Sequence, residues 1–379
     1  MNPHVEARGG VSLSTRASHN MLSYIKESGL ALDRTLHQAQ PSLDELSVEA
    51  YRRGCRRVVL SGVGSSYTAA WAAKYAFDNL VDIPTYLLPS TELSYYPALL
   101  GPESLVTVLS RSGERRFVID ALRFAERSGS LTVAVTGAAG SLMAQEASRV
   151  ILTAEGPEAA FPKTKSVTAG IGAFLGLASA LAASNRKEIE GFRHSLERSP
   201  ELIDQAVLMA AAPIEAVTES LLGCSRVIVA GTGANAGAAM EMEVKLQESA
   251  LVTTQWMDTG NLFHGPLCLL DNSWLVILLV TEDDVNLSSE AFGLVKALGG
   301  RTLGLIPSGL ELKTQPDYTI PLPKAPDRYV EALVYLPVLQ LLAYHWTVAQ
   351  GLDPDSPPGS DLILNALLPE GRLEPEANL

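Results

Sequence analysis

The chain has 379 residues, 47% of them hydrophobic, enough for two domains of ordinary size, each with its own core. A formal charge of −13 with no gathered Lys/Arg stripe excludes a nucleic-acid backbone as partner. Cys55, Cys224 and Cys268 are odd in number and form no Cys-x-x-Cys pair, so neither a disulfide framework nor a zinc site is encoded.

In chain order, residues 1–47 read as a helical segment, with acidic and apolar positions from Ser42 to Arg53 leading into a first strand. Met1 to Ser12 lacks the basic-then-apolar order of a leader peptide, and the apolar stretches 169–183 and 332–346 are too short or interrupted to span a bilayer; both are expected as buried helices of a cytoplasmic protein with no membrane contact. The most informative feature is a near-duplicate. Cys55-Arg56-Arg57-Val58-Val59-Leu60-Ser61-Gly62-Val63-Gly64-Ser65-Ser66 returns as Cys224-Ser225-Arg226-Val227-Ile228-Val229-Ala230-Gly231-Thr232-Gly233-Ala234-Asn235. Each copy is a β-branched run, a Gly-x-Gly turn and an Ala-rich helical stretch. Further strands are expected at 104–109 and 131–135 after the first copy, and at 273–280 and 301–305 after the second. The expected fold is therefore α/β: two tandem, doubly wound parallel-sheet domains of the flavodoxin-like kind, with helices on both faces. The boundaries read as 48–190 for the first domain, 191–222 for a helical connector punctuated by Pro200 and Pro213, 223–350 for the second domain and 351–379 for an irregular tail.

In open parallel sheets a ligand lies at the carboxyl ends of the strands, so the residues after each strand matter most. Gly62-Val63-Gly64-Ser65-Ser66 opens a helix and can offer N–H groups and hydroxyls to an anion. Ser110-Arg111-Ser112-Gly113-Glu114 does the same after the next strand, and Glu155-Gly156-Pro157-Glu158 with Pro162-Lys163-Thr164-Lys165 forms a third such loop. The first turn lacks the third glycine of a dinucleotide fingerprint, and no Walker loop is present, so no nucleotide cofactor is expected, nor any other.

Taken together and in order, Gly64-Ser65-Ser66, Ser110-Arg111-Ser112-Gly113-Glu114, Glu158 with Thr164-Lys165, Glu241-x-x-x-Lys245-Leu246-x-Glu248 and His264-Gly265-Pro266 resemble the sugar isomerase (SIS) domain family. The two-domain layout is similar to the isomerase half of glucosamine-6-phosphate synthase and to related aminosugar-phosphate deaminases, tagatose-6-phosphate isomerases and fructosamine deglycases. The resemblance implies a phosphorylated sugar or amino sugar as ligand, gripped at its phosphate by Gly64, Ser65, Ser66, Ser110, Arg111, Ser112, Glu114 and Arg115, with Glu158, Phe161, Thr164 and Lys165 around the rest of it. Arg115 stands where the family commonly carries a threonine.

Lys245 and Glu248, three apart, share a helix face. An aldose–ketose interconversion needs a base to carry a proton between C1 and C2, and Glu248 is expected to be that base, with Lys245 in the same catalytic set. His264, before a rigid Gly-Pro turn, is suited to opening the sugar ring. The likeness further implies that His264 serves the neighbouring subunit, hence a homodimer with a shared active site. Two departures shape the expected chemistry: no lysine follows Lys324, where synthases and deaminases carry a Schiff-base lysine in the tail, and the chain leaves no room for a glutaminase domain. The expected function is then a metal-free hexose- or hexosamine-6-phosphate isomerase or deaminase working through an enediol; the alternative is a non-catalytic sugar-phosphate-binding regulator.

Overall fold

A computed structural model describes residues 19–182 and 187–367; the readings made on residues 1–18, 183–186 and 368–379 lie outside the described residues. Two helices lead, α1 (Asn20–Lys26) and α2 (Ser28–Arg52). The first sheet unit follows as β1 (Arg57–Gly62), α3 (Ser65–Leu80), β2 (Thr85–Pro89), β3 (Ser104–Leu109), α4 (Arg116–Arg127), β4 (Leu131–Thr136), α5 (Leu142–Glu146), β5 (Arg149–Leu152) and α6 (Lys165–Leu181). After α7 (Lys187–Leu221) the second unit runs β6 (Arg226–Ala230), α8 (Asn235–Lys245), β7 (Thr253–Met257), β8 (Trp274–Leu279), α9 (Val285–Ala297), β9 (Arg301–Pro307), β10 (Tyr318–Leu322) and α10 (Glu331–Ala349), with α11 (Ser360–Ala366) in the tail.

Both sheets are parallel, with orders β2-β1-β3-β4-β5 and β7-β6-β8-β9-β10. The two orders are the same once renumbered, so the duplication read in the chain is a duplication of topology. The alternation of side chains explains the double winding. Val58 and Leu60 of β1 face the central core while Val59 faces an outer core under α4; Val227 and Val229 of β6 face the centre while Ile228 and Ala230 face the outer core under α9. Strands buried on both faces need a continuous apolar run, and these have one.

The central core is shared. It joins the inner faces of both sheets through α2, α3, α6, α7, α8 and α10. Helix α10 is long and apolar enough to cross a membrane by length and composition, but 83% of its apolar window is buried inside the protein. Pro200 and Pro213 do not punctuate the connector. Both lie inside the single helix α7, where buried Ile203, Ala206, Ala210 and Ile214 pack against α2 and α10 and outweigh the lost backbone hydrogen bonds, about 3 kcal/mol per proline. The tail is not wholly irregular either: Gly359, at φ +81°, turns the chain into α11.

A candidate phosphosugar site at the first switch point

In a sheet of this order, the strands flanking β1 are reached by crossovers of opposite direction, which leaves a crevice between the carboxyl ends of β1 and β3. Gly62 is needed because a Cβ would meet the Ser66 backbone at 2.7 Å, and Gly64 because its φ is +57°. This turn places Ser65 and Ser66 on the first turn of α3, the positive end of the helix dipole, with the Ser66 N–H donating to the Val63 carbonyl at 3.2 Å. With Leu109, Arg111, Thr153, Lys163, Ser166 and Val167 they line a cavity of about 40 Å³.

The loop after β3 is braced internally. Ser110 Oγ accepts from Gly113 N at 3.2 Å, Ser112 Oγ from Glu114 N at 3.4 Å, and Glu114 Oε1 from Leu142 N at 2.9 Å, at the start of α5. Arg111 Nε lies 3.8 Å from Glu155 Oε1, a buried carboxylate that burial pushes above the usual range. Arg115 turns toward the tail, donating from Nη1 to the Leu364 carbonyl at 3.2 Å. In the third loop, Glu158 is buried and caps α6: Oε1 accepts from Thr164 N at 2.7 Å and Thr164 Oγ1 at 3.0 Å, and Oε2 from Ser166 Oγ. Lys165 is buried and bridges to Glu27 at 2.6 Å, above the Tyr24 ring. Phe161 N donates to the Asp355 carbonyl at 2.8 Å, and the Asp355 carboxylate accepts from Asn20 N and Met21 N. Glu158, Thr164, Lys165 and the Phe161 backbone thus brace the loop that carries Lys163.

Across the domain boundary, Glu241, Lys245 and Glu248 form a chain of charges. Lys245 is fully buried, with Nζ 3.3 Å from Glu241 Oε1 and 2.5 Å from Glu248 Oε2. Burial pulls the ammonium down, but Glu248 and Glu241 together hold it above the ordinary lysine range; Glu241, also fully buried, is pushed up by its burial and pulled back by Lys245. An ammonium clamped between two carboxylates cannot reach a ligand without leaving both, and it holds in place Glu248, whose side chain is 28% exposed. Glu241 in turn accepts from Thr68 Oγ1 of α3 at 2.5 Å and is held by the Ser65 side chain as well. The hydroxyl cradle and the carboxylate that could move protons are therefore one connected array.

His264 lies apart. It is exposed on the β7–β8 connection, before Gly265 at φ +112°, and among the described residues nothing joins it to the buried charges. Two residues here were read from the sequence only as members of a motif and given no role: Glu241, four before Lys245, and Lys163, in the Pro162–Lys165 loop, which folding brings beside Ser65 and Arg111.

The equivalent crevice of the second domain has the same turn, with Gly231 against the Asn235 backbone and Gly233 at φ +57°. Its contents are acidic. Asp284 accepts from Thr281 N, Thr281 Oγ1 and Thr232 Oγ1 at 2.7–3.0 Å, and Glu331 is pushed up to about 8 by burial and by Asp284 and Asp283.

A parallel double-wound repeat with a hydroxyl cradle at one switch point and a buried acid–base array beside it defines a class of ligand-binding α/β proteins. The SIS domain model matches residues 53–180 and 220–349, and the chain belongs to that family. It is 32% identical over 309 residues to glutamine–fructose-6-phosphate aminotransferase (isomerizing) of Brucella abortus, covering 79% of this chain and 50% of that protein. It is 31% identical over 346 residues to the protein of the same name from Methanothermobacter thermautotrophicus, covering 89% and 56%. The chain thus spans about half the length of these relatives. Among solved structures, the C-terminal domain of glucosamine-fructose-6-phosphate aminotransferase from Francisella tularensis superposes with a TM-score of 0.82 at 22% identity, over 91% of this chain and 100% of that one. Glucosamine-6-phosphate deaminase from Thermotoga maritima gives 0.70 at 22% identity, over 89% and 97%. Tagatose-6-phosphate ketose/aldose isomerase from Escherichia coli gives 0.72 at 20%, over 91% and 98%. At these identities the structures share the fold.

Proposed function

We propose that the chain binds a hexose or hexosamine 6-phosphate at the first switch point and moves protons on its open form, as an aldose–ketose isomerase or an aminosugar-phosphate deaminase. The observation that carries this reading is the array of Ser65, Thr68, Glu241, Lys245 and Glu248, which ties an anion cradle to a carboxylate held in place. The phosphate docks on Gly64, Ser65 and Ser66 at the start of α3, with Ser110, Arg111 and Ser112 on the facing loop. Glu248 takes the proton from the carbon beside the carbonyl and returns it to the neighbouring carbon through an enediol; on an amino sugar the same transfer runs through an enolamine to a C2 imine, and water adds to that C=N bond to give the ketose and release ammonia. His264, exposed on its loop, opens the ring in the site of a second copy, making the working unit a homodimer.

The test is a panel of hexose and hexosamine 6-phosphates followed for ketose, aldose and ammonia. Glu248→Gln is expected to lower turnover by about 10²–10⁴-fold while leaving phosphosugar binding within a few-fold. Full activity in that variant removes Glu248 as base, and several sugars that bind while none turns over would make the chain a sensor.

A further inference from the structure

One charged residue in the first-domain cavity has no part in that scheme. Lys163 lines the cavity with Ser65, Ser66 and Arg111, and its Nζ donates to the carbonyls of Glu158 at 3.2 Å and Ala160 at 2.5 Å. These bonds hold the amine at the cavity wall and supply no negative charge. The charged groups that face it are Glu158 from its own loop, Arg111 from the loop after β3, and Lys245 and Glu248 from the end of α8. Each of those has its own partner: Glu158 caps α6, Arg111 lies beside Glu155, and Lys245 and Glu248 hold one another. Among the described residues, no carboxylate lies within ion-pair distance of Lys163.

An ammonium held by neutral carbonyls, facing two hydroxyls at a helix N-terminus, has the composition of an anion site. The cavity holds about three waters' volume, room for a phosphate group rather than a whole sugar. The chain's formal charge of −13 repels a dianion at long range, so a local cation has to be supplied.

Building on the phosphosugar reading, we propose that Lys163 is the cation that grips the ligand's phosphate in this cavity, together with the Ser65 and Ser66 hydroxyls. Its position gives the contact a pH signature. Burial, reinforced by Arg111 and Lys245 and opposed by Glu158 and Glu248, brings the free amine down to about 8, so near that pH half of it is neutral. A dianion placed against it favours the charged form and draws a proton from solvent on binding.

Calorimetric titration of the full chain with fructose 6-phosphate, in buffers of different ionisation heat, tests this. Wild type is expected to take up about half a proton per ligand at pH 8.0 and close to none at pH 7.0, where about nine-tenths of the amine is already charged and the phosphate sheds about a tenth of a proton on binding as the dianion. Lys163→Arg keeps the charge and should bind within a few-fold without that uptake; Lys163→Met should bind about 10–100-fold more weakly, for inorganic phosphate as for the sugar phosphate. Unchanged affinity in Lys163→Met, or unchanged uptake in Lys163→Arg, overturns the assignment. So does a borohydride-stable adduct of the sugar on Lys163, which would make the residue a nucleophile. Wild-type protein that binds neither fructose 6-phosphate nor inorganic phosphate brings down the phosphosugar reading itself, a different result from selective failure of the Lys163 variants.

Discussion

The two switch points share one backbone and hold opposite chemistry. Gly62 and Gly64 recur as Gly231 and Gly233, with the same φ of +57° at the second glycine and the same close approach to the helix that follows. Around the start of α3 stand Ser65, Ser66, Arg111 and Lys163; around the start of α8 stand Thr232, Asp284 and Glu331. Duplicated topology thus conserves the geometry of a site without its charge. The first crevice gathers hydroxyls and cations, and the second gathers carboxyl groups.

Three experiments break or sharpen that contrast. The largest effect is expected from Ser66→Asp, which gives the first crevice the acidity of the second: affinity for fructose 6-phosphate should fall about 100-fold or more in a direct binding titration, since a carboxylate facing a phosphate costs several kcal/mol. If binding survives, the phosphate does not sit on this helix terminus. Next, Gly64→Ala and Gly233→Ala should each destabilise the fold by about 1–3 kcal/mol in denaturant melts, because both need the left-handed region, but only Gly64→Ala should also weaken ligand binding. A ligand effect from the Gly233 variant would give the second crevice a binding role.

The smallest effect concerns Glu331. The fold holds its proton up to about pH 8, whereas the unfolded chain releases it near the ordinary value of 4.5. Between those limits the native state binds more protons than the unfolded state, so this group's contribution to stability falls as pH rises and levels off above about 8. Glu331→Gln should flatten that slope, gaining about 1 kcal/mol at pH 8 relative to pH 6 in paired thermal melts, a figure reduced for its partial exposure. An identical pH profile in the variant would place the proton elsewhere.

The central strands were legible in the chain because they are buried on both faces. β1, β3, β4, β6, β8 and β9 read as unbroken apolar runs. The remaining strands, β2, β5, β7 and β10, were not read: they are half-exposed and flank the central ones, and Thr253-Thr254-Gln255-Trp256-Met257 has no run to recognise. The prolines of α7 misled because a local rule was overridden by packing along the helix. At the site, Ser65, Ser66 and Arg111 were picked out for their place after strands, and the fold brings them to the wall of one cavity. Glu158 and Lys165 show the limit of that approach: the same loop position serves to cap a helix and to pin the leading helices, and only the partners reveal it. Lys163 gains its chemistry from desolvation and from neighbours remote in sequence, and neither is written in a single loop.

The crossing of α3 and α8 has a mechanical meaning. Gly237 lets the two helices approach until a Cβ there would meet Ala72 N at 2.4 Å, and one turn earlier on α3 the Thr68–Glu241 bond spans the same seam. A hinge between the halves would have to open this seam and strand a buried carboxylate, so the two domains are locked as a single jaw. On the first domain the loop after β3 is tied down as well, by Arg115 to the Leu364 carbonyl and by Arg116 N to the Leu367 carbonyl, so the tail braces this same half of the jaw.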